Sequence, residues 1–325
     1  MSESKPELPS IYKWASPKDG EFRRQVSSFR DHISSAPEAR FEPEANRFHL
    51  YASYACPWAS RVMIVRALKG LDKVIGLSIV DYFLGEDGWR FNPQVPGGTP
   101  DEVNGASLLK DIYFKANPEY SGRFTVPVLW DKKHKTIVNN ESSEIIRMLN
   151  TNFDEWSSKP GLTFYPDDLA PQIDEINSWI YDGINNGVYK CGFATTQTAY
   201  DHNCRTLFES LDKVENILCQ NTWLVGNRLT EADIRLFTTI LRFDPVYHTH
   251  FKCNLKTISH DYPNILRWAR QFVQTNPEAK ETVNMEHIKG HYYTSHININ
   301  PNQIVPLWNG PDLYNFPYNE SINAV

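Results

Sequence analysis

The sequence predicts two domains, an α/β unit built around a single reactive cysteine and then an all-helical unit. Three observations predict this. A strand–helix–strand pattern surrounds Cys56, two more strand signals and a helix complete that unit, and from residue 171 onward the apolar spacing is helical. The 325 residues suit two domains of ordinary size, and 41% hydrophobic against 22% charged residues gives each a core.

Taken in order, the first 45 residues are polar and read as an extension, with a short helix over residues 22–34. Arg47-Phe-His-Leu-Tyr-Ala-Ser53 alternates apolar and polar positions, as a strand does. Pro57 then suits the first turn of an amphipathic helix over residues 59–69, and Lys69-Gly70 closes it. The apolar run 75–80 is a second, buried strand, and a strand–helix–strand unit is expected to be parallel. Residues 81–122, broken by Gly85, Gly88, Pro93 and Pro96-Gly97-Gly98, read as one long loop or lid.

Thr125-Val-Pro-Val-Leu-Trp-Asp131 is a strand interrupted by Pro127, so a cis Val126–Pro127 bond is expected. Residues 136–139 give another strand and 141–150 a helix. Residues 157–166 form a polar linker, followed by helices over 171–185, 200–219, 231–241 and 264–274. Thr230-Glu-Ala-Asp233 opens the third of these with a reciprocal cap. The expected division is 1–45 extension, 46–156 α/β domain, 157–300 helical domain and 301–325 tail.

Composition narrows the function. A net charge of −6 with no basic tract argues against a nucleic-acid partner. The N-terminal residues lack the apolar core of a signal peptide, and no run approaches a spanning helix, so the expected address is the cytosol. Cys56, Cys191, Cys204, Cys219 and Cys253 are odd in number and include no CxxC pair, which disfavours a disulfide framework or a zinc site.

Cys56 stands between a strand and a helix, where backbone N–H groups and the helix dipole favour thiolate, the nucleophilic form. The other four cysteines read as buried structural residues. The residue three after Cys56 is Ala59, so no resolving thiol is adjacent. A mixed disulfide on Cys56 would need an external small thiol, which points to glutathione.

Ala55-Cys-Pro-Trp-Ala59, Gly88-Trp89, Ser121-Gly-Arg-Phe-Thr-Val-Pro-Val-Leu-Trp-Asp131 and Asn140-Glu-Ser-Ser-Glu-Ile-Ile-Arg147 resemble the glutathionyl-hydroquinone reductases, the xi class of glutathione transferases. Trp179-Ile-Tyr-Asp182, Asn185-Asn-Gly-Val-Tyr-Lys190, Arg242-Phe-Asp-Pro-Val-Tyr247, His250-Phe-Lys-Cys253 and Gly290-His-Tyr-Tyr-Thr-Ser-His296 continue the likeness over residues 20–305. The resemblance implies a glutathione-transferase fold, α/β plus all-α, with a thioredoxin-like first domain, a homodimer, and a substrate pocket between the domains. Cys56 would be the nucleophile. Glu141 and Ser142 would hold the γ-glutamyl end of glutathione, Val126 its cysteinyl backbone, and Trp89 and Arg123 the remaining surface. Tyr189, Tyr247 and Tyr292 would face Cys56 across the second pocket, with Tyr292 chosen over Tyr293.

The implied reaction is reduction of a glutathionyl-hydroquinone to the hydroquinone, with glutathione as co-substrate and no metal or nucleotide cofactor. The chain departs from the pattern at Ser60, where the family often has His, and at Cys191, where a small apolar residue is usual. Two other readings stay open. One is an omega-like thiol transferase or dehydroascorbate reductase; the other is a non-catalytic protein that keeps the fold.

Overall fold

A computed structural model describes residues 16 and 18–307. Its first half is a four-stranded sheet in the order β2-β1-β3-β4, formed by β1 (Phe48–Ala52), β2 (Gly76–Ile79), β3 (Val128–Asp131) and β4 (Thr136–Asn139). β1 runs parallel to β2, with Leu50 opposite Leu77, and antiparallel to β3, with Leu50 opposite Leu129. β3 and β4 are antiparallel. The expected parallel unit is present, with α1 (Pro57–Leu68) as its crossover.

α1 begins with Pro57 in its first turn, where the missing N–H leaves nothing unsatisfied. It ends at Gly70, whose positive φ of 63° lets the Gly70 N–H reach Ala67 O at 2.9 Å and the Leu71 N–H reach Arg66 O at 2.9 Å. The helix is not amphipathic, as its spacing suggested: every residue from Pro57 to Leu68 is buried. α3 (Ser142–Thr151) and, from the helical half, α7 (Glu231–Arg242) both pack against α1. Even Arg61 and Arg66 are enclosed.

The N-terminal segment is not helical around residues 22–34. It runs extended along β4, with Asp31 N donating to Val138 O and Asn140 N to Phe29 O, both at 3.1 Å. β4 is an edge strand, and its free backbone groups bind this segment more profitably than a helix containing Ser27-Ser28 could bind itself. Residues 81–122 are not all loop either. They contain α2 (Leu109–Ala116), which buries Leu109, Ile112 and Tyr113.

The Val126–Pro127 bond is cis, as expected. The second half is all-helical: α4 (Ala170–Ile180), α5 (Gly187–Gly192), α6 (Gln197–Gln220), α7, α8 (His248–His250), α9 (Ile258–Asp261), α10 (Pro263–Thr275), α11 (Pro277–Glu281) and α12 (Met285–Ser295). The short ones, and α12 with Gly290 at its middle, gave no helical signal in the sequence. Thr230 and Asp233 form the expected reciprocal cap of α7. Asp233 also accepts the Trp268 indole N–H at 2.9 Å.

Wide π-type turns follow α4 and α7, at Tyr181–Asn185 and Phe243–Tyr247. The second contains Pro245, which has no N–H to give to Leu241 and so cannot continue an α-helix. Of the other cysteines, Cys191, Cys204 and Cys253 are buried as expected, whereas Cys219 on α6 is exposed. Residues 301–307 are described, but the tail from 308 lies outside the described residues. Among the described residues no helix is long and apolar enough to cross a membrane.

Candidate active site

The β1–α1 turn delivers Cys56. Its backbone is extended (φ −77°, ψ 118°) at the N-cap of α1, its carbonyl accepts the Ser60 N–H at 2.9 Å, and its side chain is half-buried. The Cys56 thiol donates to the Val126 carbonyl at 3.5 Å, so the sulfur faces the backbone just before the cis proline.

Tyr113 ties that strand entry to the start of α3. Its hydroxyl donates to Thr125 O at 2.7 Å and accepts the Asn140 side-chain amide at 3.1 Å. Next to Asn140, Glu141 is the N-cap of α3 and Ser142 its first residue. The Glu141 carboxylate accepts from the Ser143 N–H at 3.2 Å and the Ser27 hydroxyl at 3.0 Å. Burial alone would raise its pKa, yet these donors and the nearby Arg24 outweigh it and hold Glu141 below the usual range. The Ser142 hydroxyl is buried and has no hydrogen-bond partner among the described residues.

The N-terminal segment reaches the same place. Arg24 lies over the Trp58 ring at 3.6 Å, a cation–π contact. A hollow of about 460 Å³ opens here, lined by Arg24, Ser27, Glu141, Tyr181, Asn186 and Lys190 among others. Arg123 is lowered by burial and then by Arg24, and Arg61 by burial and then by Arg235. Glu141 thus has the Arg24 and Arg61 guanidinium groups near it.

Three phenols meet on the helical side. The hydroxyls of Tyr189 and Tyr292 are 2.5 Å apart and those of Tyr247 and Tyr292 are 3.0 Å apart. Tyr189 sits on α5, its ring 4.9 Å from that of Trp58. Tyr247 ends the second π-type turn, and Tyr292 comes from α12. The adjacent Tyr293 points elsewhere, donating to Pro245 O at 3.1 Å. Burial lifts all three phenols well above their ordinary pKa; for Tyr189 the next influences are Tyr247 and Cys56. All three are neutral donors near pH 7. Gly192 makes room for this assembly, since a Cβ there would stand 2.2 Å from the Phe251 ring, which packs on Tyr189 and Tyr292.

Trp89 is buried and stacked on His291 at 4.9 Å, one residue before Tyr292. The sequence-derived residues thus form one connected region, with Cys56, Val126, Glu141 and Ser142 on the sheet side, the phenols on the helical side, and Trp89, from the segment after β2, reaching across to His291. Sequence reasoning missed Arg24, Arg61, His291 and Arg242. Arg24 was read as part of a helix, while His291 and Arg242 stood inside strings noted for their tyrosines.

A thiol at a helix N-cap, a backbone strand beside a cis proline and a buried hydroxyl next to a half-buried carboxylate can hold a γ-glutamyl peptide. The phenols opposite can donate protons to an aromatic oxygen. The family models agree with this arrangement: glutathione S-transferase N-terminal domain matches residues 55–152 and glutathione S-transferase C-terminal domain residues 197–271.

A Schizosaccharomyces pombe protein named glutathione S-transferase omega-like 2 is 51% identical over 312 residues, 94% of this chain and 98% of its own. Glutathionyl-hydroquinone reductase YqjG of Escherichia coli is 51% identical over 300 residues, 90% of each chain. YqjG's glutathione-bound structure aligns with a TM-score of 0.85 at 49% identity, covering 90% of this chain and 96% of that one. The crystal structure of glutathione-S-transferase Xi from Phanerochaete chrysosporium aligns at 0.87 with 55% identity, over 90% and 93% of the two chains. The chain belongs to the glutathione S-transferases, and among them to the xi class of glutathionyl-hydroquinone reductases.

Proposed function

We propose that this protein reduces S-glutathionyl-hydroquinones, using Cys56 as nucleophile. The observation that carries the reading is the hydrogen-bonded row of Tyr189, Tyr292 and Tyr247 hydroxyls beside the Cys56 turn. A general thiol transferase has no use for three converging phenols.

The Cys56 thiolate attacks the sulfur of the bound conjugate. The ring carbon–sulfur bond breaks, its electron pair stays with the ring carbon, and that carbon takes a proton. Tyr189, linked to Tyr292, is the candidate for that proton traffic. Cys56 is left in a disulfide with glutathione. A second glutathione thiolate attacks this disulfide, restoring Cys56 and releasing oxidised glutathione. The two-electron reduction of the conjugate is balanced by oxidation of two glutathione sulfurs.

The γ-glutamyl group fits the sheet side. The Ser142 hydroxyl and the α3 N-terminus suit its carboxylate, and Glu141 suits its ammonium. Val126 would pair with the cysteinyl backbone as an added strand does. Trp89 and Arg123 would border the rest. Five free cysteines fit a reducing, cytosolic setting, the family resemblance supports a homodimer, and the proposed domains are residues 46–156 and 157–300.

The test compares glutathionyl-menadiol with a small glutathione mixed disulfide, following release of oxidised glutathione. Wild type should prefer the quinol conjugate, and Cys56→Ser should lose turnover by 10³-fold or more, as expected for removal of a nucleophile (order of magnitude). Preference for the mixed disulfide would instead favour the omega-like reading.

A further inference from the structure

Arg242, the last residue of α7, is fully buried. It belongs to the helical half, yet three of its hydrogen bonds cross to the other half, two to the turn that carries Cys56 and one to the start of α1. Nε donates to Ala55 O at 3.0 Å, and Nη2 donates to Tyr54 O at 2.8 Å and to Ser60 Oγ at 2.7 Å. Nη1 turns back to Thr238 O at 2.6 Å. Every one of these acceptors is neutral.

A buried guanidinium held only by neutral oxygens is a costly arrangement that packing alone does not require. An apolar side chain would fill the same space without a desolvation penalty. The forked geometry explains one part of its presence, because only arginine can grip two successive carbonyls and a hydroxyl from a single point. Ser60, the position where the chain departs from the family pattern, supplies the third acceptor.

The charge explains the other part. The π-type turn that follows Arg242 directly ends at Tyr247, whose hydroxyl meets that of Tyr292, the neighbour of His291. Burial drives both phenols upward, and Arg242 is the strongest opposing influence on each. Burial keeps His291 neutral, and the Arg242 charge acts in the same direction. The cation therefore holds the sulfur-bearing turn directly and acts on the phenol row through its charge, and among the described residues its hydrogen bonds go to neutral oxygens alone.

We infer that Arg242 is a positioning residue for the reductase reaction: it fixes the Tyr54–Ala55 carbonyls so that Cys56 meets the phenols, and its charge, held by neutral oxygens, offsets negative charge forming between them. This rests on the reductase reading above. The anion it offsets is the one the reaction makes, whether on the sulfur, on a quinol oxygen or shared through Tyr292 and Tyr247.

The experiment measures kcat, KM for glutathionyl-menadiol and the pH dependence of kcat in wild type, Arg242→Met and Arg242→Lys, with folding checked by circular dichroism. Arg242→Met should lower kcat roughly tenfold or more with KM little changed, and should move the half-maximal rate upward by about one pH unit. Arg242→Lys keeps the charge but not the fork, so its pH profile should return to that of wild type while kcat stays reduced. A folded Arg242→Met with wild-type kcat and profile would overturn the inference. If Arg242→Met does not fold, Arg242→Lys decides: full wild-type kcat overturns the positioning role, and reduced kcat with an unmoved profile supports it. Inactive wild type on this substrate would count against the reductase reading itself, a result distinct from an active wild type indifferent to residue 242.

Discussion

The two walls of the site are built by different means. The sheet wall is local: Cys56 comes from a strand–turn–helix, and Glu141 with Ser142 from the next helix N-terminus, so each residue is placed by backbone a few positions away. The phenol wall is assembled from afar, with Tyr189 and Tyr292 separated by 103 residues and joined through their hydroxyls and the Phe251 ring they share. Local geometry survives side-chain changes nearby, whereas a converged cluster depends on every element that brings it together. The sheet wall should therefore be robust in structure and the phenol wall fragile.

Acid should break the comparison most strongly. The phenol wall is backed by His250, His291 and His296, all buried, with His250 Nε2 3.1 Å from His296 Nδ1. Burial lowers His250 to about 3, His291 to about 4 and His296 well below its ordinary value. Each binds its proton only in the unfolded chain between its folded value and about 6.5, so stability is lost as pH falls through that window, by roughly 1.4 kcal/mol per unit for each group. His49, lowered by burial to about 4, adds the same sign from the sheet half. Asp233 acts oppositely, since burial raises it to about 6 and its cost to folding disappears as it protonates. Histidines outnumber it, so urea midpoints should drop steadily between pH 6.5 and 4. Replacing His296 by Leu should flatten that drop, and an unchanged slope would contradict the assignment.

A smaller effect separates the walls kinetically. Tyr292→Phe removes the hydroxyl shared by the other two phenols and should lower kcat on glutathionyl-menadiol by about 10²-fold. Attack on a small mixed disulfide should change only a few-fold. Equal losses on both substrates would mean that the phenols serve the fold rather than the quinol.

The smallest effect falls on the sheet wall. Ser142→Ala removes one buried hydroxyl without disturbing a hydrogen bond among the described residues, because it makes none there. KM for glutathione should rise roughly tenfold, about 1.4 kcal/mol, with kcat and thermal midpoint retained. Lost stability with unchanged KM would assign Ser142 to the helix alone.

The same contrast explains what the sequence revealed. The strand, Pro57, Gly70, the cis Val126–Pro127 bond and the Thr230–Asp233 cap were legible because each is decided by neighbouring residues. The segment with Phe22, Phe29 and Ile33 was misread because its true partner is the edge of β4, over a hundred residues away, as the contact from Asn140 to Phe29 shows. α2 was hidden among the glycines and prolines of 81–122. α1 gave no sign that α7 would cover its outer face. The tyrosines were found through likeness to a family, since nothing local distinguishes three of 16 tyrosines as converging. Arg242 lay in the same quoted string as Tyr247, but its grip on the Cys56 turn exists only in the folded chain.

Mass spectrometry of the intact protein mixed with glutathionyl-menadiol, with no free glutathione present, addresses the central step most directly. The account predicts release of menadiol and a single glutathione adduct, located on Cys56 by proteolysis and absent from the exposed Cys219. No adduct, or one found only on Cys219, would contradict it.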